Sequence, residues 1–307
     1  MVRSNRRCLI SFSGGETSAF MTWWLLQEKL YEEYLVVFAN TGQENEETLK
    51  FVHQCDQRLG FKTVWIEAVQ FHGERRRSGF RVVTFETADR SGRVFEDAIR
   101  KYGIPNQKFK DCTRNLKRNP IESYAESVGW EKGSYDLAIG IRVDEIDRQS
   151  TRAKERRIVY PLIKMRPMTK PQINTWWARQ PFRLQLKGYQ GNCKWCWKKS
   201  MRKHLTIMEE NAAFFKFPER MEKKYGLEGP EFRKDTSAHP LPLGYRRTFF
   251  RGNRSVADIR AELKRRKGTN WERASDDAVV YDEELDLGSG CEESCEVYAD
   301  EDEKELI

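Results

Sequence analysis

The chain has 307 residues, 38% of them hydrophobic and 33% charged. That length suits one large domain or two modest ones, and 9 Trp, 17 Phe and 11 Tyr can build a substantial core. No run of about 18 apolar residues occurs, which excludes a membrane-spanning helix. The apolar stretch behind the basic start, Cys8 to Phe12, is too short for a signal peptide, so a cytoplasmic protein is expected. Seven Cys at irregular spacing point to thiols or metal ligands rather than a disulfide framework.

The net charge of +8 conceals an asymmetry. From Asp276 to Ile307 there are 14 acidic residues and one Lys, which leaves 54 Lys and Arg against 33 Asp and Glu in the preceding 275 residues, a net +21. The cations cluster at Arg75-Arg76-Arg77, Arg114 to Arg118, Arg152 to Arg157, Lys198 to Lys203 and Lys264 to Lys267. Such clustering favours an anionic partner, nucleic acid or a polyphosphate, over a merely solubilising surface.

In chain order, Cys8 to Phe12 reads as a short strand and Thr17 to Leu30 as a helix. Tyr34 to Ala39 is a strong strand, Glu46 to Leu59 a helix, and Lys62 to Ala68 a third strand. Arg81 to Glu86 reads as an edge strand and Val94 to Tyr102 as a helix. A helix over Asn115 to Val128 is interrupted by Pro120. Tyr135 to Ile141 and Ile158 to Ile163 read as strands. This alternation predicts an α/β fold with a mostly parallel, doubly wound sheet, covered on both faces. Beyond it, Thr169 caps a helix over Gln172 to Arg179, and Lys199 to Tyr225 is helical with a break near Pro218. Arg233 to Gly252 is irregular, and Ser255 to Lys267 is a charged helix capped by Ser255. Three regions follow: a nucleotide-binding domain over 1–165, a smaller helical, basic region over 166–275, and an acidic, disordered tail over 276–307.

Ser11-Phe12-Ser13-Gly14-Gly15-Glu16-Thr17-Ser18 joins the first strand to the first helix. An open α/β sheet binds ligands at the carboxyl ends of its strands. Gly14 and Gly15 let the backbone approach an anion, Ser11, Ser13, Thr17 and Ser18 supply hydroxyls, and the helix N-terminus supplies N–H groups. An ordinary strand-to-helix turn is the competing reading.

The loop resembles the S-G-G-x-x-S pyrophosphate loop (PP-loop) of the N-type ATP pyrophosphatases. More specifically, the chain resembles the phosphoadenosine phosphosulfate (PAPS) reductase family, in the branch found in phages and prophages. Four further segments match in order: Val36 to Glu44 with Glu47 to Val52, Cys112-Thr113-Arg114-Asn115-Leu116-Lys117 with Pro120-Ile121, Gly140-Ile141-Arg142-Val143-Asp144-Glu145, and Gly191-Asn192-Cys193-Lys194-Trp195-Cys196. The resemblance covers roughly residues 8 to 210 and implies the adenine nucleotide alpha hydrolase-like fold. It implies that Ser11 to Ser18 holds the phosphates of ATP or PAPS and that Asn40, Thr41 and Gly42 line the nucleotide pocket. It further implies that Arg114, Lys117 and Arg142 meet phosphate or sulfate oxygens. Asp144 and Glu145 then become candidates to hold Mg²⁺, against the simpler reading of an ion pair with Arg142. A homodimer is also in keeping with related enzymes.

Cys193-Lys194-Trp195-Cys196 has a spacing that lets one turn present two thiolates to a metal. Cys112, among Lys108, Lys110, Arg114 and Lys117, is the candidate third ligand. The trio resembles that of PP-loop thiolation enzymes, in which three Cys hold a 4Fe-4S cluster. Zn²⁺, a redox dithiol and inert thiols are the alternatives. Cys8 and Cys55 read as core residues, and Cys291 and Cys295 as weak candidates. The E-C-G-x-H segment of assimilatory PAPS reductases is absent, and Asp111 before Cys112 breaks the Cys-Cys pair of cluster-bearing sulfonucleotide reductases. Glu16-Thr17 replaces the more usual Lys-Asp of the loop.

Trp195, Trp197, Lys198, Lys199, Arg202, Lys203 and His204 surround Cys196. They read equally as a surface that stacks bases and meets phosphates, or as a metal-site shield with a solvated helix face. His204 itself reads as a surface residue. The leading functional expectation is an enzyme with Cys112, Arg114, Lys117 and Arg142 in its chemistry, adenylating and thiolating a nucleic acid, tRNA or DNA. Sulfonucleotide reduction and non-catalytic nucleotide or nucleic-acid binding are the alternatives. The sequence names no sulfur or electron donor.

Overall fold

The computed structural model describes residues 7–231, 244–277 and 279–286. Four parallel connections and one antiparallel edge build a six-stranded sheet. Strands β1 (Arg7–Ser11), β2 (Glu33–Asn40), β3 (Val64–Val69), β4 (Gly79–Val83), β5 (Asp136–Ala138) and β6 (Ile158–Val159) stand in the order β4-β3-β2-β1-β5-β6. Only β4 runs antiparallel, on β3. Between strands run helices α1 (Glu16–Glu28), α2 (Glu46–Leu59), α3 (Arg93–Tyr102) and α4 (Asn119–Ser127).

Strand periodicity sorts the side chains onto two faces. Cys8, Ile10, Val36 and Phe38 share a core with Phe20 and Trp24 of α1 and Val52 of α2. Leu9, Val37 and Leu137 share the opposite core with Ile121 and Ala125 of α4. Cys8 and Cys55 are fully buried, as expected, and burial pushes both thiols far above their usual range. The chain leaves β1 towards β2 on one side and returns as β5 on the other. The carboxyl end of β1 is therefore the switch point where such sheets bind ligands.

Helices α5 (Lys170–Ala178), α6 (Met201–Glu210), α7 (Lys216–Tyr225), α8 (Val256–Arg266) and α9 (Glu283–Asp286) follow. Trp177 of α5 lies in the same core as Phe20 and Phe51. A third core joins Phe95 and Ile99 of α3 to Trp195, Leu205, Phe215, Met221, Phe250 and Ile259. Thr169 and Ser255 cap α5 and α8 as expected, each in a reciprocal capping box. Among the described residues no helix is long and apolar enough to cross a membrane.

Several local expectations are corrected. Pro120 does not interrupt the fourth helix, because it sits in the first turn of α4; a π-helical stretch, Arg114–Arg118, leads in instead. Pro218 likewise lies in the first turn of α7, and the break falls at Asn211. Beyond Val159 the expected strand turns into a helical turn, Pro161–Lys164. Of the irregular 233–252 segment, residues 233–243 lie outside the described residues, as do Cys291 and Cys295.

The largest correction concerns the acidic stretch. Its described part docks rather than trailing as a tail. Leu285 is 2% exposed in the third core, and the Asp286 carboxylate receives Arg202 Nε at 2.8 Å and Nη2 at 2.7 Å. Glu284 pairs with Arg265 and Arg266, and the Gly188 N–H donates to Asp276 at 2.6 Å. The basic stretch has therefore already met part of its counter-charge within the chain.

Buried Glu222 joins α7 to α8, accepting the Phe249 N–H at 3.1 Å and the Val256 N–H at 2.9 Å. Burial outweighs those donors and pushes its carboxyl up to about 7. A carboxyl whose folded pKa is raised binds its proton more tightly in the folded chain, so ionising it costs stability. The stabilisation is present below about pH 4.5, the usual value, and is lost as pH rises towards 7. Wild-type stability relative to Glu222→Gln should therefore fall between pH 5 and pH 8, by at most about 3 kcal/mol. Denaturant melts of both proteins at the two pH values check this.

Candidate active site

The phosphate loop follows β1 directly. Gly14 has φ +83°, and a Cβ there would stand 2.8 Å from Thr48 Cγ2 and 3.1 Å from Phe38. Only glycine lets the loop press against α2 and β2 in this way. Ser13 and Ser18 hydroxyls bond each other at 2.8 Å, and Ser18 also donates to the Gly15 carbonyl at 3.0 Å. The N-cap of α1 is Gly15, with no side-chain cap, which leaves the first-turn N–H groups as a candidate anion cradle.

Arg142 closes this cradle from the β5 side. Its side chain is nearly buried and donates to Thr17 Oγ1 at 2.8 Å. Asp144 and Glu145 both pair with it, at 3.0 Å and 3.4 Å, and Glu145 also pairs with Arg148. Burial opposes ionisation of Asp144, yet the Arg142 hydrogen bond and charge hold its carboxyl below the usual range. As folded, the two carboxylates orient Arg142, and a magnesium ion on them would have to break that pairing. Glu16 is explained by its partner. Arg183 clamps it at 2.9 and 3.0 Å, and Trp177 Nε1 donates to its carbonyl, tying α5 to the loop.

The second-strand loop is braced from within. Asn40 is 0% exposed, and its amide donates to Glu67 at 2.6 Å and to the Asp89 carbonyl at 2.9 Å. It supports Thr41 and Gly42 instead of reaching into a pocket, contrary to expectation. Gly42, at φ +79°, allows Asp89 to pass where a Cβ would come within 2.4 Å.

Three distant segments then bring their cysteines together. Cys112, Cys193 and Cys196, each half-buried, line one narrow cavity of about 30 Å³ with Thr41, Gln43 and Lys117. Lys117 is projected into it by the π-helical stretch, whereas Arg114 turns to Asp111 at 2.8 Å. Among the described residues, no three His, Cys, Asp or Glu side chains close around a point as the ligands of a single ion do.

Two site residues escaped the sequence reading. Glu44 is 3% exposed and accepts from Thr41 N at 2.9 Å and Thr41 Oγ1 at 2.8 Å. It also lies 3.9 Å from Cys193 Sγ and 4.0 Å from Lys117 Nζ. Asn192 donates from its side chain to the Ser13 carbonyl at 2.8 Å, while its own carbonyl receives Asn45 N at 2.8 Å. Both residues stood inside matched segments; a buried-acid or buried-amide role leaves no pattern in sequence. On the other side of Asn192, a polar cavity of about 180 Å³ opens against Gly15 and Glu16, with Lys170, Asn174 and Arg183 at its wall.

The basic and aromatic cluster behind Cys196 faces inward. Trp195 and Trp197 are 2% and 3% exposed, and Lys198, Lys199 and Arg202 are all buried. These rings pack in the third core and are not a base-stacking surface. His204 is likewise buried, not superficial, and burial with nearby Lys199 and Arg251 keeps its imidazole neutral.

A nucleotide-type phosphate loop at the switch point of a parallel sheet, with thiols beside it, defines a PP-loop protein of the sulfur-related kind. Residues 7–178 match the phosphoadenosine phosphosulfate reductase domain, and the chain belongs to that family. It is 30% identical over 298 residues to an uncharacterized nin region protein, ORF290, of Escherichia phage lambda, covering 94% of each chain. It is 26% identical over 152 residues to an uncharacterized protein of Methanocaldococcus jannaschii, covering 50% of this chain and 26% of that one.

Proposed function

We propose that the chain is an ATP-dependent sulfur-transfer enzyme that adenylates and thiolates a nucleic acid, with a 4Fe-4S cluster on Cys112, Cys193 and Cys196. The observation that carries this reading is the meeting of those three thiols at one cavity, beside the phosphate loop. Thiolates spread around a cavity suit a cluster better than a single tetrahedral Zn²⁺, whose ligands gather at one point. The cavity is small as folded, so binding has to spread the thiols and the flexible Lys117 side chain. When bound by three Cys, such a cluster supplies an iron site able to hold sulfur.

The chain's own residues account for the adenylation step. The first-turn N–H groups of α1 and the hydroxyls of Ser13, Thr17 and Ser18 bind and orient the phosphates. Arg142, fixed by Asp144 and Glu145, stabilises the charge that develops as a substrate oxygen attacks the α-phosphate and pyrophosphate leaves. Lys117 brings a second cation to the thiol side. Asp144 and Glu145 serve to hold Arg142 in place, their oxygens being engaged by Arg142, Arg148 and the Lys170 N–H. The nucleic-acid substrate rests on the basic composition before residue 276, with Arg75 and Arg76 exposed.

Pyrophosphate release from ATP and Mg²⁺, with and without RNA or DNA, tests the reading. Release stimulated by a nucleic acid is expected. Release that requires no nucleic acid would replace the nucleic acid by a small-molecule or water acceptor, and reduction of PAPS to sulfite would make a free sulfonucleotide the substrate; no turnover with either would leave a nucleotide-binding protein. The loop is tested by Gly15→Val. Its φ is ordinary, and a Cβ there meets nothing closer than 3.8 Å, so the fold should persist. The branched side chain obstructs the anion cradle, and nucleotide affinity measured by calorimetry should fall more than about tenfold, the worth of one charge-assisted hydrogen bond.

A further inference from the structure

The phosphate loop and the thiol cavity open on different sides of the Gly191-Asn192-Cys193 segment. Asn192 borders the polar cavity against Gly15, and the next residue, Cys193, borders the thiol cavity. Asn192 is 4% exposed, and its side-chain amide and main-chain carbonyl are both committed. Its side-chain amide holds the Ser13 carbonyl at 2.8 Å, and its main-chain carbonyl holds Asn45 N at 2.8 Å. Asn45 in turn grips the Gly191 carbonyl at 2.8 Å. One residue further, Cys193 forms an antiparallel bridge with Glu44, and Lys194 N donates to the Gln43 carbonyl at 3.1 Å. The segment 191–194 thus joins three parts of the site: the phosphate loop through the Asn192 side chain, the second-strand loop through main-chain and Asn45 contacts, and the first thiol of the C-x-x-C that it carries.

The other side-chain group of Asn192 is its carbonyl. It is buried without a hydrogen-bond partner among the described residues, and it stands 3.9 Å from where a Gly15 Cβ would be. An unsatisfied buried acceptor is costly and native folds rarely retain one without a reason. Here it faces the backbone that an anion would engage, so any shift of Gly15 and Ser13 around bound phosphates repositions the Asn192 amide.

We propose that Asn192 is a positioning residue that couples occupancy of the phosphate loop to the placement of Cys193. The inference rests on the nucleotide reading above and adds to it the route by which the nucleotide acts on the thiols. Phosphates settling on the loop draw Ser13 and Gly15 into their bound arrangement. The Asn192 amide follows the Ser13 carbonyl, and the segment 191–194 tightens against Asn45 and Gln43. Because coupling between sites is reciprocal, a change that fixes Cys193 tightens nucleotide binding by the same factor.

The test is hydrogen–deuterium exchange of the full chain, as purified, with ATP and Mg²⁺ as the probe. Exchange at the amides of Asn45 and Lys194 is read by mass spectrometry, with affinity measured in parallel by calorimetry. In the wild-type protein, nucleotide should slow exchange at both amides about fivefold or more, the lower end of ordinary site-to-site coupling. Asn192→Leu keeps the approximate size and loses the donor to Ser13 without adding charge beside the phosphates, and Asn192→Ala removes both groups. Either should still bind nucleotide but lose the nucleotide-dependent protection, which a residue that merely supported the fold would not abolish selectively. Protection that persists in Asn192→Leu would overturn the proposal. So would wild-type protein that binds ATP without protecting those amides, an outcome that leaves the nucleotide site standing. Failure of wild-type protein to bind ATP would overturn both readings together.

Discussion

Protein purified without oxygen should be brown and carry about four iron and four sulfide per chain. Cys112→Ala, Cys193→Ala and Cys196→Ala should each lose most of that iron, because each removes one of three thiolates lining a single cavity. Cys8→Ala and Cys55→Ala should keep it, since both thiols are buried in the sheet core. Their raised pKa values also make them poor metal ligands at neutral pH. The measurement is iron and sulfide content with the visible spectrum, followed across the five variants. Stoichiometric zinc without sulfide would replace the cluster by a structural ion, and retention of iron in any of the first three variants would remove that cysteine from the ligand set.

The second large effect is expected at the acidic segment. Asp286→Ala should destabilise the chain by about 3–5 kcal/mol, the usual cost of removing one partner from a buried ion pair. The reason is Arg202, whose side chain is 3% exposed and would keep the Glu272 and Val280 carbonyls and the more distant Glu272 carboxylate at 4.0 Å, but lose its bidentate carboxylate. Glu284→Ala breaks exposed pairs with Arg265 and Arg266 and should cost less than about 1 kcal/mol. Urea melts of the two variants separate the cases: similar small losses in both would mean that the segment from Asp282 to Asp286 adds little to the fold. The same contacts change how the acidic stretch should be truncated in nucleic-acid binding experiments. A cut before Asp276 removes Leu285 from the third core and Asp286 from Arg202, whereas a cut after Asp286 removes acidic residues and keeps both contacts.

Phosphate-loop and strand signals were local, and local signals survive in sequence. The apolar run ending in Gly14-Gly15, the β2 run ending in Asn40-Thr41-Gly42 and the helix caps at Thr169 and Ser255 each depend on neighbours a few residues away. They placed the parallel sheet and the loop at its switch point correctly. The C-x-x-C spacing and the positive surroundings of Cys112 were also legible, and the structure brings all three thiols to one cavity.

What tertiary structure alone decided concerns burial, which a run of charges does not reveal. Lys198, Lys199, Arg202 and His204 have the composition of a wet surface, yet they lie under the third core, because Trp195, Trp197 and Leu205 fill it and Asp286 supplies the distant counter-charge. Asn40 has the look of a pocket residue and is spent on Glu67 and Asp89, partners 27 and 49 residues away. Asp144 and Glu145 match a motif, but whether they face a cation or an arginine depends on where β5 delivers Arg142 relative to Thr17. The roles of Asn192 and Glu44 leave no local pattern, since Ser13 and Asn45 for the first, and Cys193 and Lys117 for the second, are distant in sequence. Sequence specifies periodicity, caps and turn chemistry; the pairing of buried polar groups across long separations is a property of the packed chain, and here it determines which charges face a ligand and which hold the fold.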